Sequence, residues 1–290
     1  MRKSINCWAV ACFVLALALG SPIARGAVEI VSTISASPVA DQWFASDITA
    51  GGTAAIVNLA GTGGNLENNQ PLPTGAAKLT TDLTNAAKAE ISYAHDFGPS
   101  SSVLGSIQVS YSYYRDNIPG SNTAAAPAIK LTFWATPLNP GTPNENVTLI
   151  YEPYWNQTPS GVSVDPPTGA WQNVAIDKDN GLFWQNGGFG QANSSGGLPL
   201  KTLAQWAAAF NADPDPTTDF DSAHLVSVQV GVGTYNQGQI GYFDAVQVVA
   251  PNFDTKFNFE AVPEPASLGL WGIASLAGLG LARLRRKKSS

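Results

Sequence analysis

The chain has 290 residues, of which only 12% are charged, and it carries 15 Lys and Arg against 21 Asp and Glu. Eight of the basic residues sit near the termini, at Arg2, Lys3, Arg25 and five positions from Arg283 to Lys288, so the interior keeps seven against all 21 acids, a net of −14. A surface of that sign repels nucleic acid and anionic lipid and tolerates cations or neutral polymers, which excludes a nucleic-acid partner.

Taken in chain order, Arg2 and Lys3 lead into an apolar run from Cys7 to Leu19, followed by Gly20, Ser21 and Pro22. A short basic region, an apolar stretch and a small-residue exit predict a secretory signal peptide over 1–26, cut before Ala27 after the small residues Ala24 and Gly26. The implied partner is the Sec export machinery. Both cysteines, Cys7 and Cys12, fall in this segment, so the mature chain is expected to hold no disulfide, thiol nucleophile or cysteine metal site.

From 27 to 250 the pattern is alternation. Ile107, Val109, Tyr111 and Tyr113 face one way, Ile129, Leu131, Phe133 and Ala135 repeat the period, and Val147, Leu149 and Tyr151 follow. Val226, Val228, Val230 and Val232 do the same, and 29–35, 53–59, 88–94, 171–176 and 241–249 are further candidates. Period two with frequent Gly and Pro turns predicts antiparallel strands with one buried face. The expected fold is all-β, a single sandwich of about eight to eleven strands. One helix interrupts it: Leu200, Leu203, Trp206, Ala207 and Phe210 share a face, and Thr202 with Gln205 reads as a capping box. Residues 251–262 read as a linker.

The last 28 residues are the most specific. Pro263-Glu264-Pro265 precedes an uncharged run, 266–282, and the basic block Arg283, Arg285, Arg286, Lys287 and Lys288 closes it. As a helix the run spans roughly 25 Å, slightly short of a hydrocarbon core of about 30 Å, and the basic block predicts a cytoplasmic end. This order, at this position, resembles a PEP-CTERM sorting signal, a family of C-terminal signals on exported proteins of exopolysaccharide-producing Gram-negative bacteria. The resemblance implies an inner-membrane precursor, an exosortase-like protease as partner, and release to the cell surface or medium. An uncleaved single-pass anchor is the competing reading.

A second resemblance is broader. Leu149-Ile-Tyr-Glu-Pro-Tyr-Trp155, Trp171-Gln172, Phe183-Trp184, Leu203-Ala-Gln-Trp206 and Gly241-Tyr-Phe-Asp-Ala-Val246 are similar in order to secreted bacterial jelly-roll modules of the carbohydrate-binding and concanavalin-like type. It implies a jelly-roll sandwich, with the aspartate of the closing strand turning into a loop or binding backbone.

Catalytic signals are sparse. The two histidines, His95 and His224, lie at strand ends, and no nucleophile elbow, His-Glu-x-x-His, P-loop or dinucleotide fingerprint is present. Tyr151, Glu152, Tyr154 and Trp155 form the candidate glycan-binding cluster, since aromatic faces complement sugar C–H faces; the competing reading places these rings in the core or its rim. No cofactor is expected apart from calcium, for which Asp177 and Asp179, or Asp213, Asp215, Asp219 and Asp221, offer hard oxygen ligands, against the simpler account of solvated acidic turns. The expectation is a non-enzymatic, exported surface or matrix protein that associates with exopolysaccharide. The alternative is a secreted, glycoside hydrolase-like enzyme on the same fold.

Overall fold

Alternation becomes two packed sheets. A computed structural model of the chain describes residues 26–135, 145–194, 196–212 and 219–262. Pro263-Glu264-Pro265, the run 266–282, the basic block 283–288 and all of the expected signal peptide except Gly26 lie outside them, as do Asp213 and Asp215. Among the described residues no helix is long and apolar enough to cross a membrane.

The strands are β1 (Ala27–Val31), β2 (Trp43–Ile48), β3 (Gly52–Asn58), β4 (Gly75–Thr81), β5 (Ala89–Ala94), β6 (Gln108–Arg115) and β7 (Ala128–Ala135). They continue with β8 (Glu145–Tyr151), β9 (Gln172–Asp177), β10 (Trp184–Asn186), β11 (His224–Val232), β12 (Ile240–Ala250) and β13 (Phe253–Phe259). Three helices are described: α1 (Gly64–Asn68), α2 (Ser100–Val103) and α3 (Leu203–Asn211). One sheet runs β10-β8-β7-β11-β5-β2, entirely antiparallel. In the other, β12 is central: β6 and then β9 lie on one side, and β4 and β13 share the opposite side. Here β1 pairs with β13 in parallel, a departure from the expected antiparallel plan.

Between the sheets lies one aromatic core. Tyr111, Tyr113, Phe133, Phe243, Phe257 and Phe259 are fully buried, and Trp43 stands edge-on to Phe257 and Phe259 with ring centres 5.4 and 5.1 Å away. Burial of such rings is the main stabilising term in a cysteine-free sandwich. The predicted helix forms with its predicted cap: Gln205 N donates to Thr202 Oγ1 at 3.3 Å, and Thr202 N to Gln205 Oε1 at 3.0 Å. It closes one end of the core, where Trp206 Nε1 donates to the Phe183 carbonyl at 2.8 Å.

The segment expected as a linker is largely strand. Phe253, Thr255, Phe257 and Phe259 alternate in β13 with Asp254, Lys256 and Asn258, and Phe257 and Phe259 are fully buried. The sandwich therefore runs through residue 259, because those two rings belong to its core. Three further strands were not anticipated. β4 is rich in small residues, β2 breaks its apolar run with Ser46 and Asp47, and β10 is three residues long.

Asp244 pins β13 to β12. A bulge in the β12–β6 ladder follows it, with Ala245 in the left-handed region at φ 53°. Its buried Oδ1 accepts from Phe259 N at 3.0 Å, while Oδ2 has no hydrogen-bond partner among the described residues. Burial raises its pKa to about 7 against the pull of the surrounding backbone N–H groups, and Glu260 adds to the rise.

Candidate functional site

In-register residues of neighbouring strands share a face. Ser92 on β5 pairs with Gln229 on β11, Gln229 with Lys130 on β7, Lys130 with Ile150 on β8, and Ile150 with Trp184 on β10. Their chain neighbours Ile91, Val230, Ile129, Leu131 and Leu149 point into the core. The row crosses the outer face of the six-stranded sheet, and from Gln229 to Trp184 it floors an open groove of about 820 Å³. Ordinary small-molecule sites span roughly 300–1,000 Å³, so the groove is large enough for several sugar rings.

Its wall is a pair of loops. Tyr235, 70% exposed, and Asn236 come from the β11–β12 connection, and Asn122 from the β6–β7 connection. Asn122 Nδ2 donates to the Tyr235 carbonyl at 2.8 Å and to Asn236 Oδ1 at 3.1 Å. Behind it, the buried Arg115 guanidinium donates to the carbonyls of Asn122 at 2.8 Å and Pro166 at 3.2 Å, and to Gln239 Oε1 at 3.3 Å. One arginine thus holds three loops.

The floor contains a chain of charges. Glu90 Oε1 contacts Lys130 Nζ directly and lies 3.2 Å from Lys88 Nζ, and Lys88 reaches Asp47 Oδ2 at 2.6 Å. Glu90 is 3% exposed and lies over Gly231, where an added Cβ would come within 2.3 Å of Glu90 Cγ. The glycine is required for that close approach. Burial first, and Lys88 second, depress the Lys130 pKa, against the pull of Glu152 and Asp47; the Glu90 contact keeps a buried ammonium tolerable.

Glu152 also faces the groove. Burial raises its pKa, while the nearby indoles of Trp184 and Trp155 and the Lys130 ammonium act in the opposite direction. Among the described residues, neither the buried Trp184 indole N–H nor the buried hydroxyl of Ser92 in the same row has a partner in hydrogen-bond geometry. Amides and hydroxyls complete the lining: Gln229 Nε2 donates to Thr132 Oγ1 at 3.0 Å, and Thr132 and Thr148 meet at 3.1 Å. The result is a polar, aromatic-bearing trough in which planar side chains alternate with hydrogen-bonding groups.

The sequence-predicted cluster divides. Glu152 and Tyr154 line the groove. Tyr151 does not: it is buried in the core with its ring 5.8 Å from Phe183, because strand alternation places it opposite Glu152. Trp155 packs edge-on to Tyr154 at 5.0 Å and donates from Nε1 to the Gly196 carbonyl at 3.2 Å, so it supports the rim. Sequence reasoning missed Glu90, Lys130, Trp184 and Tyr235. The first two occupy polar positions of recognised strands, but their pairing joins residues 40 positions apart and no local signal announces it.

The acidic turns show what their carboxylates hold. Asp177 Oδ1 accepts from Asp179 N at 2.8 Å and Asn180 N at 2.7 Å, and Asp179 pairs with Lys178. Asp219 accepts from Asp221 N at 3.1 Å, and Asp221 from Asn211 Nδ2 at 2.8 Å. Among the described residues no three His, Cys, Asp or Glu side chains converge as metal ligands. His95 and His224 each set Nδ1 against an aspartate, Asp41 at 2.5 Å and Asp96 at 2.7 Å.

No family model matches the chain, and no curated protein does. Among solved structures it is similar to a family 11 carbohydrate-binding module from Clostridium thermocellum in complex with a β-1,3-1,4-mixed-linked tetrasaccharide, at TM-score 0.34 and 13% identity over 78% of this chain and 93% of that one. It is similar to a putative sugar binding protein from Bacteroides thetaiotaomicron, at TM-score 0.40 and 12% identity over 78% and 95%. It is also similar to an endo-β-1,4-glucuronan lyase from the fungus Trichoderma reesei, at TM-score 0.32 and 15% identity over 70% and 90%. These likenesses are distant, and the two-sheet architecture stands on the chain's own strand pairing.

Proposed function

We propose that this is an exported, non-enzymatic surface or matrix protein whose six-stranded sheet binds polysaccharide. The observation that carries the reading is the groove: open along its length, floored by Gln229, Ile150 and Trp184, and walled by Tyr154 and Tyr235. Rings stack on the C–H faces of sugars, while amides and hydroxyls meet their hydroxyl groups. Delivery to the polysaccharide follows from the two terminal signals, with an exosortase-like protease removing 266–290 from a membrane-held precursor.

Affinity electrophoresis of the full chain in detergent against a panel of polysaccharides tests the binding. Retardation by at least one polymer, weakened at least tenfold in Trp184→Ala, is expected; retardation unchanged in Trp184→Ala combined with Tyr235→Ala would place binding elsewhere. Intact-mass analysis of the extracellular protein tests the processing, and retention of 266–290 there counts against it.

One observation favours a second reading, a polysaccharide-active enzyme: Glu152 is a groove carboxyl whose pKa is raised by burial, as a general acid requires. Product release from a glycan that disappears in Glu152→Gln would replace the binding reading with this one.

A further inference from the structure

We propose that the groove selects uncharged polysaccharide chains and refuses polyuronates and sulfated polymers, an inference that rests on the polysaccharide-binding reading of the same site. The charged side chains lining the groove among the described residues are Asp47, Lys88, Glu90, Lys130 and Glu152. Both cations are already engaged. Lys130 Nζ is held by Glu90, and Lys88 bridges Glu90 and Asp47. Neither lysine is free to swing toward a ligand. The side chains of Lys130 and Lys88 are 13% and 22% exposed, and Glu90 is wedged over Gly231, which has no side chain to push it aside.

The carboxylates are placed differently. Asp47 keeps 48% of its side chain exposed to the groove. Among the described residues Glu152 makes no ion pair within 4 Å of a cation, and burial raises its pKa. A sugar carboxylate or sulfate entering the trough would therefore meet the Glu152 carboxyl beside a lysine–acid chain whose cations are already paired. To claim Lys130 it would have to displace Glu90, stranding a buried carboxylate without its partner, which is strongly unfavourable. The domain adds repulsion at longer range, since 20 acidic residues oppose seven basic ones between the terminal signals. Neutral hydroxyl-bearing rings avoid these costs and still reach the planar rings, amides and hydroxyls of the lining.

The test uses the full chain in detergent, a panel of neutral polysaccharides, and for acidic backbones a matched pair: a polyuronate and the same polymer after carboxyl reduction. Binding is measured by calorimetry at 20 mM and 500 mM NaCl. Neutral polymers should bind, and each carboxyl-reduced polymer should bind at least tenfold more tightly than its parent at low salt. High salt should shrink that ratio several-fold, because screening shortens the reach of the groove's charge. Glu152→Gln should lower the ratio at low salt. An acidic polymer bound as tightly as, or more tightly than, its reduced form overturns the selectivity and leaves sugar binding standing. Failure of every polymer to bind removes the sugar-binding reading and the selectivity with it.

Discussion

The two sheets of this sandwich bury similar inner faces and treat their outer faces in opposite ways. On the β12 sheet, the outward residues Ala76, Tyr114 and Tyr242 are roofed by Leu59, Leu66 and Trp171, forming a second small core. Trp171 locks that roof by donating from Nε1 to the Leu66 carbonyl at 3.0 Å. What remains open there is a smaller hollow of about 370 Å³, lined by Gln108, Ser110, Asp177 and Gln247 without an aromatic ring. On the six-stranded sheet the outward Trp184 lines an open groove, and charges that would normally be solvated are sunk into its floor. Equal patterning on two strands sets does not make equal surfaces; the loops decide which sheet face becomes core and which becomes a site.

That contrast can be broken at several points. The largest effect is expected at Glu90→Ala, which strands the Lys130 ammonium in the groove floor and should cost about 3–5 kcal/mol, read as a lowered thermal midpoint. If the midpoint is unchanged, the charge chain is solvated in solution and the contrast between the faces is weaker than drawn. On the roofed side, Leu66→Ala should cost about 2–3 kcal/mol through the cavity it leaves, yet leave glycan binding at the opposite sheet intact in the same calorimetric assay. Loss of binding there would mean that the two faces communicate.

Gly231→Ala should cost about 1–3 kcal/mol by pushing Glu90 off its bed, with a matching loss of groove affinity. A fully stable variant would show that Glu90 has room to move. The smallest effect concerns Asp244. Its folded-state pKa, about 7, lies above the ordinary carboxylate value of 3.8, so its stabilising contribution is complete below that lower value and is lost as pH rises through 7. Asp244→Asn should therefore gain on the wild type between pH 5 and pH 8, by a few degrees in thermal midpoint. A constant difference across that range would show that the carboxyl titrates normally.

Much of the architecture was legible because burial leaves a period. Nine strand candidates correspond to strands, and the capping box of Thr202 and Gln205 marked α3 correctly, since both signals are local. β13 was missed although Phe253, Phe257 and Phe259 alternate, because three aromatic rings among polar residues read equally well as a linker until a partner strand is known. Of the site, the aromatic-acid run at 151–155 drew attention to the right strand end. Only Glu152 and Tyr154 of it face the groove, for a one-residue step along a strand reverses the face.

By itself, then, the sequence determined an acidic chain, free of cysteine from Ala27 onward, bearing an alternating β pattern and one capped helix, because charge and periodicity are properties of neighbours along the chain. Only the tertiary structure decided that Glu90 and Lys130 neutralise each other, that Tyr151 turns inward, that Trp184 and Tyr235 frame one trough, and that the closing strand extends to Phe259. Those facts depend on strands brought together from distant positions, and register between such strands is fixed by the packing of the whole core rather than by any local signal.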